Sequence, residues 1–242
     1  MKRVKLTSVL GLGVALLLAA GCGGGSSNPA KHAGGLNPAD FTTKVDNPWF
    51  PLKPGTTYVY KGTDDKGKPT RDVVTVTSRT KLVGGVRSLV VLDHVYNGKG
   101  QVTERTQDYY AQDKQGTVWY TGEDTAELDS KGHVTTTEGT WHNGTGGGRA
   151  GIFMPAQPRV GERHRQEYLK NHAEDIFQVL SLSAAVKTPT GTYSPAIETK
   201  EFTRLEPGIV GGKWYAKGVG QVAERTLKGD KENLKLVALR HG

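Results

Sequence analysis

From Trp49 to the C-terminus the chain repeats one device: a run of β-branched and aromatic residues, then a short polar turn closed by glycine. The first runs are "TTYVYKG" (56–62), "RDVVTVTSRT" (71–80), "VRSLVVLDHVY" (86–96), "QVTERTQDYYAQ" (101–112) and "TVWYTG" (117–122). Between them lie "DDKGKP", "NGKG" and "DKQG", and "DSKGH" follows at 129–133. Glycine supplies the positive φ that tight reversals between antiparallel strands need, so each unit reads as a hairpin. The second half continues with "RHRQEYL" (163–169), "IFQVLSLSAAVKT" (176–188), "YSPAIETKEFTRL" (193–205), "GGKWYAKG" (211–218), "GQVAERTLKG" (220–229) and "NLKLVALRH" (233–241). Such a succession of strands without helices between them predicts an all-β fold. The expected form is an antiparallel meander making one strongly curved sheet or barrel-like domain.

Three stretches carry finer expectations. In 176–188 the residues Ile176, Leu180, Leu182, Ala184 and Val186 share one parity, with Gln178 the exception, and Ser181, Ser183 and Lys187 share the other. That alternation predicts a strand with one face buried. "NHAEDIF" (171–177) is the one candidate short helix of the second half, and "NPAD" at Asn37 offers a single helical turn. "GTWHNGTGGGRA" (139–150), with five glycines around Trp141, predicts a mobile loop between the two halves and is a candidate lid.

The N-terminus fixes an address. Lys2, Arg3 and Lys5 precede an apolar stretch from Val9 to Ala20, and Ala19, Ala20 and Gly21 stand directly before Cys22. The stretch is shorter than the roughly 20 residues that span a bilayer, so it reads as a secretory leader, residues 1–21. Cys22 is the chain's only cysteine. The arrangement resembles the bacterial lipobox, in which that cysteine becomes the first mature residue and carries a thioether-linked diacylglycerol. Leu18 lies four places before Cys22 and Ala19 three, one step off the usual spacing. Lipidation at Cys22 implies a partner membrane and a location on the extracytoplasmic side, held by two or more acyl chains. Residues 22–46 are rich in Gly, Ser, Asn and Pro and predict a flexible tether. Residues 47–242 are left for one all-β domain, which with no disulfide must be held by packing.

Charge narrows the partners. The chain has 32 Lys and Arg against 24 Asp and Glu, for a net +8. The leader holds three of the basic residues and none of the acidic ones, so the mature chain carries +5. That excess is scattered, with no basic run, and no nucleic-acid partner is expected.

Candidate chemistry is sparse. The seven histidines are dispersed, and the densest group, His164, Glu167, His172, Glu174 and Asp175, matches no zinc spacing; no metal and no cofactor are expected. There is no G-x-S-x-G, and the acids Glu123 and Asp124 read as a polar turn after a strand. No catalytic residue is assigned, and the chain is read as a non-enzyme. The aromatic residues are more suggestive. Trp49–Phe50, Tyr109–Tyr110, Trp119–Tyr120 and Trp214–Tyr215 are neighbours, so each pair on a strand sends one ring to either face. They read first as core and surface rings. The functional alternative is an apolar cleft in a curved sheet, with Tyr60, Tyr110, Trp119 and Trp214 as candidate ligand contacts.

"NPWFPLKPGTTYVYKG" (47–62), "DYYAQDKQGTVWYTGEDT" (108–125), "GIFMPAQPRVGERHRQEY" (151–168), "HAEDIFQVLSL" (172–182) and "TKEFTRLEPGIVGGKWYAKGVGQVAER" (199–225) resemble, taken together in order, a group of exported bacterial proteins without an assigned activity. The resemblance spans nearly all of 47–240 and implies an exported domain with no known catalytic set. A looser likeness, at the level of fold, is to curved-sheet lipoproteins of the lipoprotein-localisation-factor type, whose half-barrels carry acyl chains; this sequence lacks the helices that plug them. The leading expectation is therefore a membrane-anchored, non-catalytic domain binding an apolar or lipid-like molecule. The alternatives are an envelope module binding a protein or glycan component, and a hydrolase.

Overall fold

The computed structural model describes residues 35–242. The leader, Cys22 and the first part of the tether lie outside the described residues. A single helical turn at Pro38–Asp40 opens the description, with the Asn37 side chain accepting from the Ala39 N–H, as the "NPAD" motif suggests. Sixteen strands follow: β1 (Phe41–Thr42), β2 (Thr57–Thr63), β3 (Pro69–Val83), β4 (Val86–Asn97), β5 (Val102–Asp113), β6 (Val118–Leu128), β7 (Val134–Thr136) and β8 (Trp141–His142). The second half supplies β9 (Arg149–Met154), β10 (Arg163–Arg165), β11 (Glu167–Tyr168), β12 (Ile176–Thr188), β13 (Gly191–Phe202), β14 (Val210–Ala216), β15 (Gly220–Lys228) and β16 (Asn233–Arg240).

All pairings are antiparallel, and the strand order is β10-β12-β13-β14-β15-β16-β2-β3-β4-β5-β6-β9-β11. The two ends of this order, β10 and β11, are separated in sequence by Gln166 alone. The chain thus steps from one edge of the sheet directly to the other, and the sheet is nearly closed into a barrel. Gly151 on β9 permits the approach: a Cβ there would lie 2.2 Å from the Arg165 carbonyl oxygen. Near-closure leaves few unpaired backbone groups on the long strands, so little open edge remains for pairing with another chain.

The seam at the far side joins the last strand to the first hairpin, Leu236 opposite Tyr60 and Leu234 opposite Gly62. Inside, Tyr110, Tyr120, Phe153, Tyr215, Ile197 and Leu236 are completely buried. Each aromatic pair divides as strand alternation requires: Phe50, Tyr110, Tyr120 and Tyr215 meet one another inside, while Tyr109, Trp119 and Trp214 take the other face.

Four local expectations need correction. The 171–177 segment is not a helix. Asn171 takes a positive φ of 64°, and its N–H and the Arg204 guanidinium both bond the Glu174 carboxylate, fixing a tight turn before β12. The glycine-rich 139–150 stretch is neither a lid nor a separate loop. It pairs along β6 through β8, and the buried Trp141 donates its indole N–H to Glu167 at 2.7 Å. On β12 the parity reading placed Leu180 and Leu182 on the buried face, yet they are exposed and Phe177 and Val179 are buried instead. Phe177 and Val179 lie ahead of the first register shift and set the inward parity, so Leu180 faces out. The shifts after Val179, Ser181 and Ala184 bring Ala184 and Val186 back against the core. The acids Glu123 and Asp124 lie within β6 rather than in a turn after it. Ahead of residue 47, β1 pairs with β5 and Lys114 bridges Asp40 at 2.9 Å.

Candidate functional site

One end of the barrel is sealed by the segment Asn47–Leu52. Buried Asn47 donates its backbone N–H to the Gln112 side-chain oxygen at 2.8 Å and its side-chain amide to the Gly116 and Pro155 carbonyls at 2.9 and 3.0 Å. The Gly218 N–H bonds the Pro48 carbonyl at 2.7 Å, and the Tyr58 hydroxyl donates to Pro51 at 3.1 Å. These bonds tie the segment to four separate parts of the barrel wall. Phe50 then drops into the interior against Phe153, Tyr110 and Tyr215, at centroid separations of 4.4, 5.4 and 6.3 Å.

Of the four candidate ligand aromatics, the structure brings together two. Tyr60 and Tyr110 line a cavity beneath the plug with Tyr58, Phe50 and Phe153. Its volume is about 40 Å³, room for a water molecule and not for an acyl chain. Trp119 stands on the outer wall, edge-on to Phe41, with its indole N–H donating to Asp113 at 2.9 Å. Trp214 lies on the face opposite Tyr215, beneath the Arg225 guanidinium at 4.9 Å. Neither lines the inner cavity.

What the rings share the barrel with is acid. Asp72, Asp93 and Asp108 line the same inner cavity, and all three are buried. Asp108 and Glu123 face each other across β5 and β6, and the Tyr120 hydroxyl lies 2.6 Å from one and 2.8 Å from the other. A phenol carries one proton, so one of these carboxyls must itself be protonated to complete both bonds. Burial, reinforced by the Glu123 charge, pushes Asp108 up to about 8, which makes it the natural carrier. Asp72 is likewise raised well above the usual carboxylate range, by burial and by the neighbouring Asp93. On the opposite wall Lys213, 3 % exposed, pairs with Glu201. Burial disfavours its charge, but Glu201 and Glu224 outweigh burial and raise its pKa.

The end away from the plug is open. A cavity of about 530 Å³ sits among the turns there, in the size range of small-molecule sites. Its lining includes Asp64, Asp65, Asp72, Glu104, Glu127, Glu206, Glu224, Asp230 and Glu232. Nine carboxylates thus converge on one cavity, and no Lys, Arg or His among the described residues lines it. In a chain of net charge +8 this is a local reversal of sign that scattered surface residues do not produce. Asp72 belongs to both cavities and marks where they meet.

The sequence reading missed these acids, although strand parity carried a trace of them. Asp72, Val74 and Val76 share a face, as do Thr106, Asp108 and Tyr110, so the carboxylates travel with buried positions rather than with solvent-facing ones. A second polar group also went unread. On the outer wall Asp124 accepts from Lys81 at 2.6 Å, from His142 at 2.9 Å and from the Tyr109 hydroxyl. Lys81 and Tyr109 hold the Asp124 carboxyl below its ordinary range against the opposing effect of burial. This is a closed ion-pair network joining β3, β5, β6 and β8. The histidine group expected to be inert is dispersed: His172 bonds Glu138 and His164 pairs with Glu162.

No protein-family model matches the chain, and no curated protein sequence matches it. Among solved structures it is similar to a protein of Bacteroides fragilis NCTC 9343 assigned as exported and described as having a YmcC-like fold. The TM-score is 0.45 at 15 % identity, over 79 % of this chain and 98 % of the other. It is also similar to a protein of Parabacteroides distasonis ATCC 8503 assigned as a lipoprotein, with a TM-score of 0.43 at 13 % identity over the same shares of the two chains.

Proposed function

We propose that this chain is an exported, membrane-anchored and non-catalytic binding protein whose ligand enters through the unplugged end of the barrel. The observation that carries the reading is the asymmetry of the barrel: one end is bonded shut by Asn47–Leu52, and the other opens on a cavity of about 530 Å³. The leader and Cys22 support the anchor and the extracytoplasmic location. The small volume under the aromatic rings turns the reading from an apolar ligand toward a polar one held at the mouth.

Filling the mouth tests this. Val95 lines the cavity, and Val95→Trp would occupy much of it without touching the plug. The full chain, extracted in mild detergent from cell envelopes and measured by native mass spectrometry, is expected to carry a non-covalent mass that Val95→Trp lacks. Equal spectra for the two proteins, with no added mass in either, would overturn the reading.

A further inference from the structure

We propose that the outer wall of the barrel carries a binding track for a linear anionic polymer, crossing β16, β2, β3, β4 and β5 and ending in a groove beside Arg79. The site is separate from the mouth, and neither reading depends on the other.

The track is built from cations that the sequence scatters and the sheet gathers. Lys235 stands directly opposite Lys61, Lys61 opposite Arg71, and His94 opposite Arg105. Arg71 faces Tyr96, two residues from His94, so the two short runs join on a diagonal. One basic side chain thus stands on each of five adjacent strands. Each is next in sequence to a buried residue, in turn Leu236, Tyr60, Asp72, Asp93 and Thr106, and so points away from the interior. Like charges placed directly opposite one another destabilise a sheet. Lys235, Lys61, Arg71 and Arg105 meet no acid in an ion pair among the described residues. Repulsion that the fold leaves uncompensated is relieved when an anion binds.

Exposed lysines can also splay into water, so the row alone would not carry the proposal. The second observation lies at its β5 end. Between Val76 and Thr80 three residues of β3 stand against Val90 alone. The Thr77 hydroxyl pins this bulge, donating to the Val90 carbonyl at 2.6 Å and accepting the Arg79 N–H at 3.1 Å. Bulges of this kind re-aim side chains beside functional sites. Here Arg79 reaches across β4 to within 3.5 Å of the Gln107 side-chain oxygen on β5. Arg79, His94 and Arg105 then line a groove of about 360 Å³ with Leu92 and Ala126. The acid in its lining, Asp124, is already bound by Lys81, His142 and the Tyr109 hydroxyl.

The layout selects a polymer. Four inter-strand steps of about 4.8 Å give the track a length of roughly 19 Å, beyond the reach of one phosphate or carboxylate group. Its five strands are consecutive in a circuit of thirteen, so the two ends of the track point in well-separated directions. A flexible chain can follow that curve and a flat bilayer cannot. The rings on this wall are covered, Tyr96 by the Arg71 guanidinium at 4.1 Å and Tyr109 by the Lys81 ammonium at 4.5 Å. That favours a chain read by its charge over a single-stranded nucleic acid read by stacking.

Linear inorganic polyphosphate is the probe, titrated calorimetrically into the full chain in non-ionic detergent. The expected result is saturable binding, about tenfold or more tighter than orthophosphate and weakening steeply as salt rises. Lys61→Gln with Arg71→Gln is expected to weaken it about tenfold and to reduce the slope of log affinity against log salt by about one to two. The same variant is expected to melt no lower than wild type, because a like-charge contact is gone. Lys170→Gln with Lys187→Gln removes equal charge from exposed positions off these strands and is expected to change affinity by no more than about twofold. Equal losses in the two double variants would show that net charge alone attracts the polymer, and would overturn the proposal. So would orthophosphate binding as tightly as polyphosphate, or duplex DNA binding more tightly. Displacement of polyphosphate by dihexanoyl phosphatidylglycerol at equal phosphate concentration would assign the wall to lipid headgroups and overturn it as well. Val95→Trp, which fills the mouth, is expected to bind polyphosphate as wild type does, so the two readings fail separately.

Discussion

Lys213→Met is expected to lower the midpoint of thermal unfolding by roughly 6–20 °C at neutral pH. Lys213 is the buried cation that answers Glu201 and Glu224 inside the barrel, and its side chain is 4 % exposed. Removing one partner of a buried pair leaves the other charge without compensation, which costs about 3–5 kcal/mol. A domain of this size loses about 2–4 °C for each kcal/mol. The loss is expected to shrink in mild acid, where Glu201, already raised by burial, takes up a proton and no longer needs the lysine. Lys213→Met combined with Glu201→Gln is expected to recover much of the stability, because a neutral pair of similar shape avoids both desolvation penalties. Circular dichroism melts of the three proteins check this. A single variant melting within a few degrees of wild type would mean that Lys213 and Glu201 are not coupled.

The second large effect is on pH. The thermal midpoint is expected to be highest near about pH 5 and to fall toward about pH 8. Burial and neighbouring carboxylates push Asp108 to about 8 and Asp175 to about 7, and raise Asp72 as well. In the unfolded chain such groups titrate near about 3.9. Between the two values the folded state holds protons that the unfolded state has released, so their contribution is full below the unfolded pKa and is lost as pH rises through the folded one. Each such proton is worth about 1.4 kcal/mol per pH unit, or about 3–6 °C here. The opposite group sets the acid limit. Arg204 holds Glu174 low, and hydrogen bonds to Gln112 hold Asp46 low, so their contributions disappear only as pH falls through those depressed values. Asp108→Asn is expected to flatten the alkaline slope. A midpoint that climbs steadily from about pH 5 to about pH 8 would contradict this account of the interior.

These effects come from residues that the sequence shows poorly, and the reason is physical. Strands and turns are written locally: the Gly-closed turns and β-branched runs place nearly every long strand within a few residues of its observed limits. The division of Tyr109 from Tyr110 and of Trp119 from Tyr120 follows from parity alone. Burial inside a closed sheet does not. Whether the face bearing Asp72 or Asp108 looks into water or into a barrel depends on β10 and β11 meeting around Gln166, a contact between the two edges of the sheet. Bulges cause the remaining error, as on β12, where the inward parity changes between Val179 and Ala184 at register shifts that leave no residue signature. Trp119 and Trp214 have the chemistry of ligand contacts, yet parity places them on the wall away from the cavity. Plugging by Asn47–Leu52 was equally hidden, since Asn47 acts through partners 65 to 108 residues away.

The most direct measurement of ligand entry at the open end is hydrogen–deuterium exchange of the full chain extracted from cell envelopes, as wild type and as Val95→Trp, read by mass spectrometry. A ligand held at the mouth predicts slower exchange in wild type than in Val95→Trp in the turns around Asp64–Asp65, Leu128 and Asp230–Glu232, and no difference in the plug at Asn47–Leu52. Protection confined to the plug end, or spread evenly over the outer wall, would contradict it.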